Sequence, residues 1–437
     1  MISRLRRLRL QDLDTAAIDL RSIAEAVAVI SPLALVAGLQ EAVMTIVAVL
    51  FVLQCWRDRD FSWALQGWFA ALLALWAYEL VRTVVSHPTA TGVLFALQWI
   101  HLPLYAAALA HWILPDERAR NRLLLATGAA LTFYALDCLL QYFSGRDVIG
   151  RPAWDNRLTS VSPKPGVGIQ IAWLMAAPVF GFWQGGRRAF AVFLGAVCLL
   201  AVLLSGDRMG LLLVLAAVVL IGLIAPGLRR PMAIGLPVVV AALGCVLYLS
   251  PRLYPREIET TAHVITDFDS THYGVIFGSA LEIARDHPVF GVGMHNYNAV
   301  CLEPRYGPEK VGPDQLPRCP GHPHNFYLQW LAEGGLIGLG LFVAFVVLSL
   351  RELVRWRRGN RDNLIFYGLA VSLALRFWPL TSGTSFFSSW SAAPLFLVLG
   401  WSLAYCAPRR EAPREAGERT GLSGSVAHVS HASSGGV

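Results

Sequence analysis

Long apolar runs, separated by short polar or charged breaks, follow one another along most of the chain. A bilayer core about 30 Å thick needs about 20 apolar residues per helix. The run from Leu211 to Ile224 is continuously apolar, whereas a membrane β-strand would alternate between apolar and polar positions. The pattern therefore predicts an all-α polytopic membrane protein. Its twelve predicted transmembrane helices lie near residues 22–38, 41–56, 63–85, 92–114, 121–143, 167–185, 189–205, 209–225, 232–250, 324–350, 362–379 and 389–406.

The first two predicted helices are the least regular. They are short, and Glu25, Pro32 and Glu41 interrupt them. A re-entrant hairpin or a strongly tilted pair of helices fits the same pattern, so these alternatives stay open at this end of the chain.

Composition and charge agree with a membrane protein, since 55% of the 437 residues are hydrophobic and only 15% are charged. The net charge of +7 does not indicate nucleic-acid binding, because the basic residues lie in short clusters between apolar runs. With twelve helices, these clusters all fall on one side. The positive-inside rule predicts that this side is cytoplasmic, with both termini there.

Two segments on the predicted periplasmic side are long enough to hold a site: residues 144–166 and residues 251–323. The second contains Tyr273–Asp286, where apolar residues at helical spacing predict a capped amphipathic helix lying over the membrane. The predicted organisation is helices one to nine over 1–250, a periplasmic domain over 251–323, helices ten to twelve over 324–406, and a disordered cytoplasmic tail over 407–437.

The cysteines and the absence of nucleotide motifs limit the chemistry. Five of the seven cysteines lie in or at the end of apolar runs without metal-ligand spacing, so no metal site is predicted. Cys301 and Cys319 share the larger loop, and they can form a disulfide if that loop faces an oxidising compartment. No Walker-type phosphate loop is visible, so no nucleotide donor and no cofactor are expected.

Basic residues on the predicted periplasmic side are the anomaly, because positive charge is disfavoured there. Arg clamps phosphate oxygens bidentately, so such a cluster suits a polyanionic ligand at the membrane surface. The alternative for any single residue is ordinary solvation or contact with lipid head groups. The candidates are Arg146, Arg151, Arg157 and Lys164 in the first loop, Arg208 at a helix boundary, and Arg252, Arg256 and Arg285 in the second loop.

Two short motifs carry the strongest candidates. Arg208 lies in Ser205–Gly210, a break between two apolar runs, and an ionisable residue at such a place favours function over a pair with Asp207 or snorkelling to the interface. His324 lies in His322-Pro-His-Asn325, where the second loop re-enters the membrane. A helix N-terminus there tends to lower the pKa of an imidazole, so a neutral His324 can act as a base. The alternative is that His324 is only a helix cap or an interface residue.

These residues resemble the bacterial lipopolysaccharide O-antigen ligases, within the superfamily that includes O-antigen polymerases and protein O-oligosaccharyltransferases. His324-Asn325, nine residues, Gly335, two residues and Gly338 are similar to the ligase signature. Arg208-x3-Leu212 fits a second family element, and His287-Pro-Val-Phe-Gly291-Val-Gly293 is similar to a third. The resemblance covers about the second half of the chain and the layout of twelve helices.

The resemblance implies a GT-C-like glycosyltransferase that uses no metal or cofactor. It implies transfer of an O-antigen glycan from undecaprenyl pyrophosphate to lipid A-core, with inversion at the anomeric carbon, among membrane lipids at the periplasmic face. It also implies His324 as the acceptor base or its orienter and Arg208 as a pyrophosphate ligand, with His322 and Asn325 beside them as substrate-binding candidates.

One departure from the family pattern and two rival functions remain. Family members often have an Arg shortly before the aromatic residue of the amphipathic helix, whereas Phe277 here follows His272-Tyr-Gly; Arg252, Arg256, His272 or Arg285 can take that role. A polymerase or a protein O-oligosaccharyltransferase would differ only in its acceptor. A transporter or flippase of lipid-linked sugars would need ionisable residues along a path through the membrane, for which Glu79 and Asp137 are the candidates.

Overall fold

The computed structural model of the chain describes residues 19–33, 39–86, 90–154, 157–162, 164–249, 253–307, 310–311, 316–381 and 383–406. Residues 1–18, the predicted cytoplasmic tail and the candidate Arg252 lie outside these residues, as does the side chain of Arg256.

Helices make up most of the described chain. They are α1 (Leu20–Val29), α2 (Gln40–Asp58), α3 (Gly67–Ser86), α4 (Ala90–Gln98), α5 (His101–Ala108), α6 (Glu117–Ser144), α7 (Val167–Leu174), α8 (Ala176–Gln184), α9 (Arg188–Leu204), α10 (Arg208–Ile224), α11 (Arg229–Leu249), α12 (Thr260–Thr266), α13 (His272–Asp286), α14 (Tyr297–Cys301), α15 (Phe326–Trp356), α16 (Leu364–Arg376) and α17 (Ser389–Leu403). A small antiparallel pair, β1 (Lys310–Val311) and β2 (Leu316–Pro317), lies in the second loop.

Eight helical segments in the described ranges are long and apolar enough to cross a membrane, and α9, α10 and α16 are shorter apolar helices. Together these eleven correspond to the second through twelfth predicted helices. The first predicted helix differs, because α1 ends at Val29 after ten residues and part of the predicted span lies outside the described residues. The chain is therefore an all-α polytopic membrane protein, as the apolar pattern predicts.

The centre of the helical bundle is aromatic, and it lies directly below the loops. Phe386, in the connection between α16 and α17, contacts the rings of Phe326, Trp330 and Phe342 at centroid distances of 5.1, 5.3 and 5.4 Å. Tilted and edge-to-face pairs of this kind are favourable beyond the apolar area that they bury. This aromatic packing supports the loops at this end of the bundle.

Candidate active site

A backbone-to-backbone seam joins residues 287–293 to a kink in α15. At the kink, Gly335 has φ 64° and ψ −163°, a conformation that is essentially restricted to glycine. A Cβ on Gly335 would lie 2.3 Å from the carbonyl oxygen of Val289, and a Cβ on Gly291 would lie 2.3 Å from that of Glu333. Four hydrogen bonds close this glycine seam: Leu336 N to Pro288 O (2.8 Å), Ile337 N to Val289 O (3.3 Å), Val292 N to Ala332 O (3.0 Å) and Gly293 N to Glu333 O (2.7 Å).

Two side chains of α3 bind the seam from its other side. Tyr78 donates its hydroxyl hydrogen to the carbonyl oxygen of Gly334 at 2.8 Å. Arg82 donates from Nε to Phe290 O at 3.1 Å and from Nη2 to Gly291 O at 2.9 Å. These carbonyls lie at a helix kink and a tight turn, where regular structure leaves backbone acceptors unpaired. The glycine motifs thus fix the second loop to the membrane helices.

The predicted amphipathic helix is α13, and Thr271 caps it by accepting from the amide of Gly274 at 3.2 Å. Its apolar residues Ile276, Ala280 and Ile283 are fully buried. Ala280 and Ile283 belong to one cluster with α14 and the first turns of α15. Protein therefore covers the apolar face of α13, and the position of the helix over the membrane stays a prediction.

A disulfide between Cys301 and Cys319 fixes the segment that leads to the histidines. The sequence left this pairing open, and the structure has it. Cys319 lies three residues before His322, and the neighbouring Arg318 forms an ion pair with Glu282 of α13. The chain thus reaches the membrane already bound to α13 and α14.

His324 immediately precedes the N-cap of α15 and has a left-handed backbone, with φ 56°. Asn325 is the N-cap, since its Oδ1 accepts from the amide of Leu328 at 3.1 Å. Its Nδ2 donates to the carbonyl oxygen of Pro379 at 2.6 Å. Because Asn325 caps the helix and both ends of its amide are bound, it positions His324. The alternative that His324 itself is the cap is thereby removed.

One carbonyl oxygen, that of Gly383, accepts from two histidine rings. His324 Nδ1 lies 3.1 Å from it and His322 Nε2 lies 3.3 Å from it. A carbonyl oxygen can only accept, so both of these ring nitrogens carry hydrogen. In the neutral state of His324, its other nitrogen, Nε2, then has a free lone pair.

Burial keeps these rings neutral. It lowers the pKa of His324 to about 3, with a smaller contribution from the charges of His322 and His272. It lowers the pKa of His322 to about 4, with the charge of Lys164 adding to the effect. Burial lowers the pKa of His272 as well. Among the described residues no group of three or more His, Cys, Asp or Glu side chains could hold a metal ion.

The turn Ser205–Gly210 packs closely against the beginning of α7. A Cβ on Gly210 would lie 2.8 Å from the backbone of Gly168, and the amide of Gly168 donates to Asp207 Oδ2 at 3.0 Å. The buried Asp207 also accepts from Arg157 Nε at 3.0 Å. Its partner is thus Arg157, and not the adjacent Arg208 as the alternative required. Arg208 opens α10, is half-buried, and has no hydrogen bond or ion pair to another described residue.

The first loop folds back onto the end of α6. Gln141 Oε1 accepts from the amides of Thr159 and Ser160 at 2.8 and 3.1 Å. Asp137 Oδ1 accepts from the amide of Val148 at 2.7 Å. These bonds give the loop a fixed path, which carries Arg157 towards the turn before α10.

Two other basic residues of this loop bind the loop itself. Arg146 donates to the carbonyl oxygen of Gly150 at 2.9 Å, and Arg151 donates to that of Val161 at 3.1 Å. Both side chains are exposed. Their contacts within the chain are therefore to loop carbonyls.

Two cations of the first loop act electrostatically on the histidines. The charge of Arg157 contributes to lowering the pKa of His324, and the charge of Lys164 contributes to lowering that of His322. The ring centroid of His272 lies 6.1 Å from that of His324. Through the Arg157–Asp207 ion pair, the turn of Arg208 belongs to the same face, which we call the His324 face.

Arg285 is not brought to this face. It lies in the last turn of α13, thirteen residues after His272, which is about 20 Å along a helix axis. Among the four alternatives for the missing family Arg, His272 is the one that the described residues place beside His324.

Three residues of the region were not among the predicted candidates. Tyr273 lies edge-on to His324 with ring centroids 6.2 Å apart. His295 lies against Phe95, with centroids 4.2 Å apart, and burial lowers its pKa. Arg376 is buried at the end of α16. Only Arg376 had a signal in the sequence, as an ionisable residue within a predicted membrane helix.

The helices and the His324 face define a multi-pass membrane protein with a polar, loop-covered site at one end of the bundle. A family model described as O-antigen ligase matches residues 190–343, from α9 to the kinked part of α15. No individual curated protein shows significant similarity to the chain. The match includes His324 and both glycines of the seam, and it supports membership of the chain in the O-antigen ligase/polymerase family. Members of this family are membrane glycosyltransferase-like enzymes.

Proposed function

We propose that the protein is an O-antigen ligase that transfers a glycan from undecaprenyl pyrophosphate to a lipid A-core acceptor at the periplasmic face of the inner membrane, with inversion. One observation carries the proposal: a histidine with a free ring nitrogen feels the charge of Arg157, and Arg157 is paired with Asp207, the residue before Arg208. The family match supports the reaction class.

The reaction needs a base and a place for the leaving group. The acceptor hydroxyl oxygen attacks the anomeric carbon while its proton passes to Nε2 of His324. The bond between the anomeric carbon and the phosphate oxygen breaks, and its electron pair leaves with undecaprenyl pyrophosphate. Gly383 fixes the His324 ring through Nδ1, which directs Nε2 towards the acceptor.

Arg157 and Arg208 stabilise the leaving group. Arg208 opens α10, where free helix N–H groups add partial positive charge, and a diphosphate suits such a position. Arg157 is held in position by Asp207. The bound diphosphate would also raise the pKa of His324, so the base becomes stronger when the donor is in place.

The contacts of the ionisable membrane residues disfavour the transporter alternative. Asp137 binds the first loop. Glu79 lies against the seam, with its Oε1 2.6 Å from the place of a Cβ on Gly334. Both are buried in the packing of the chain.

Reconstitution of the full chain with a lipid-linked glycan tests the choice of acceptor. Purified protein would be supplied with lipid A-core, a pilin-like protein, or donor alone. We expect a glycan on lipid A-core, detected by a shift in gel mobility and by mass spectrometry. Lengthening of the donor glycan, or transfer to the protein acceptor alone, would establish one of the rival enzymes. Movement of the donor across vesicles without a new glycosidic bond would establish a flippase.

Substitution of the base tests the mechanism. His324→Ala should lower the transfer rate at least about 100-fold, because general-base catalysis contributes that much or more. Donor binding should stay near the wild-type level. His263→Ala is the matched control, since His263 is exposed in α12 and lies outside the proposed site. An active His324→Ala enzyme would remove the base assignment.

A further inference from the structure

Two polar side chains that the proposed reaction does not use lie buried near the beginning of α15. Gln329 has 2% of its surface exposed and Glu333 has 1%. They are four residues apart, so they share one face of the helix, and Gln329 Nε2 donates to Glu333 Oε2 at 3.0 Å. Burying a carboxylate and an amide in a membrane helix is costly unless their polar atoms have partners. The partners of this Glu333–Gln329 pair therefore show what it holds.

The far oxygen of Glu333 binds the second loop. Tyr297, the first residue of α14, donates its backbone amide to Glu333 Oε1 at 3.2 Å. The backbone oxygen of Glu333 belongs to the glycine seam, where it accepts from Gly293. Because a backbone amide can only donate, the side-chain atom that faces Tyr297 has to be an oxygen.

The far end of Gln329 binds the connection between α16 and α17. Its Oε1 accepts from the backbone amide of Phe386 at 2.8 Å. Its Nε2 donates to Ser385 Oγ at 2.7 Å, besides the bond to Glu333. The amide of Phe386 therefore requires an oxygen at this end too, and this fixes which way the side-chain amide of Gln329 points.

These two backbone donors determine the chemistry of the pair. Each end of the pair must present an oxygen, and the contact in the middle needs one donor and one acceptor. Two amides would bring two donors together at one of the three contacts, whichever way they are turned. Two carboxylates would bring two oxygens together in the middle. One carboxylate and one amide satisfy all three contacts, as Glu333 and Gln329 do.

The connection that Gln329 binds is also the one that fixes the proposed base. Gly383 lies two residues before Ser385 and is bound twice to His324. Its amide donates to the carbonyl oxygen of His324 at 2.9 Å, and its own carbonyl oxygen accepts from His324 Nδ1. The direction of the His324 ring thus depends on the position of Gly383. The bonds from Gln329 add a directional constraint to the aromatic packing of Phe386.

We propose that Glu333 and Gln329 are positioning residues: they join the second loop to residues 383–386, so that the carbonyl of Gly383 holds the Nδ1 hydrogen and the ring direction of His324. The inference rests on the proposed function, because the pair positions the base of that reaction. The pair acts through Gly383 and takes no part in the proton transfer.

Chemical modification and transfer kinetics of the full chain in detergent test this role. The variants are Glu333→Gln and the exchanged double variant Gln329→Glu/Glu333→Gln. The control is Glu352→Gln near the other end of α15, where the carboxylate is partly exposed. Diethylpyrocarbonate acylates an unprotonated imidazole nitrogen. Mass spectrometry would give its rate at His324, with the exposed His263 as the internal reference.

The pH dependence of this modification reports the state of the ring. In the wild type the rate at His324 should stay constant from about pH 8 to about pH 5, because burial lowers the pKa of the ring to about 3. In Glu333→Gln the ring loses its fixed contact with Gly383 and becomes more accessible to water. Its rate should then fall with a midpoint approaching about 6.5, the pKa of a free imidazole. The double variant and the control should follow the wild type.

Transfer should show the same order of variants. In Glu333→Gln we expect kcat to fall about 10- to 100-fold, because a misplaced base costs rate, while KM for the donor stays near the wild-type value. The double variant should recover most of kcat, since it restores one carboxylate and one amide with the charge one turn earlier in α15. The control should transfer as the wild type does.

Several outcomes would overturn the inference. The first is an unchanged pH dependence at His324 and an unchanged kcat in Glu333→Gln, even with a lower melting temperature, since the pair would then only stabilise the fold. The second is a double variant that is no better than the single one. If Glu333→Gln does not fold, Ser385→Ala, which removes one hydrogen bond of Gln329, takes its place, and wild-type behaviour of that variant overturns the inference.

Failure of the proposed function gives a different result. If the wild type forms no glycosidic bond with any acceptor, the ligase proposal falls. The modification of His324 needs neither donor nor acceptor, so its pH midpoint in Glu333→Gln and in the double variant then decides alone whether the pair positions the ring.

Discussion

His324 owes its chemical state to its surroundings. Burial beside two other histidines keeps the ring neutral, and Gly383 fixes which nitrogen carries the hydrogen. The sequence could identify this residue because a histidine before a membrane helix within a family motif is a specific pattern. It could not show the tautomer, since the accepting carbonyl lies 59 residues away along the chain.

The other candidate residues also divide into those that the sequence could identify and those that it could not. Arg157 and Lys164 were found as basic residues on the predicted outer side, and their charges contribute to the lowered pKa of His324 and of His322, respectively. Arg285 has the same character in the sequence, but one helix length separates it from His272. Whether a basic residue belongs to the site depends on its position along the folded helix, and composition does not encode that position. Arg376 was overlooked because it lies inside an apolar run.

The low pKa values predict how stability depends on pH. His324 and His322 have pKa values of about 3 and 4 in the folded protein, against about 6.5 when unfolded. Between these limits the unfolded state binds more protons, so stability should fall as the pH is lowered from about 6.5 to about 4. The melting temperature in detergent, measured from pH 8 to pH 4.5, checks this.

Substitutions assign that pH dependence to the site. His324→Gln removes one titrating group, so its melting temperature should fall less steeply towards low pH than that of the wild type. His263→Gln removes an exposed histidine and should leave the slope unchanged. Identical slopes in all three proteins would show that His324 is not held neutral by the fold.

At the scale of elements, the glycine seam is the feature that the motifs encode. The sequence contains the glycines of the seam but does not show why glycine is needed. Glycine is needed because two backbones approach each other closely, and this contact between residues 287–293 and the kink of α15 exists only in the folded chain. For helix α13 the sequence predicted the element but not what covers its apolar face. Its amphipathic pattern predicted the helix correctly, but the same pattern fits a face covered by lipid and a face covered by protein.

Gly335→Ala tests the seam. The backbone conformation is strained for alanine by about 1–3 kcal/mol, and the added Cβ would lie 2.3 Å from Val289 O. We expect a lower melting temperature and loss of transfer activity, measured on the purified variant. Gly340→Ala, in the same helix with open space around the added Cβ, should be neutral or slightly stabilising. Equal behaviour of the two variants would show that the seam does not hold the site.

At the scale of the whole molecule, the apolar runs predicted eleven helices closely because each run is nearly as long as the helix that it forms. The boundaries of α16 and the early end of α1 escaped prediction. α16 ends at Arg376, three residues before Pro379, which cannot continue the helical hydrogen-bond pattern. Orientation in the membrane follows from charge alone, and it is an expectation that labelling can test.

Cysteine labelling tests this orientation. Ser144 is exposed at the end of α6 on the His324 face, and Gly359 is exposed in the turn after α15. In a chain whose five free cysteines are replaced, Ser144→Cys should react with a membrane-impermeant maleimide in cells with a permeable outer membrane. Gly359→Cys should react only after the inner membrane is broken. The reverse pattern would put the site in the cytosol and end the proposal of periplasmic transfer.

The single oxygen shared by the two histidine rings restricts the path of the proton after catalysis. An amide oxygen that accepts from both Nδ1 of His324 and Nε2 of His322 cannot carry a proton from one ring to the other. If His324 is the base, the proton that it takes from the acceptor cannot pass through this oxygen to His322. Each turnover would then end with its own deprotonation step at Nε2, towards water or the departing phosphate.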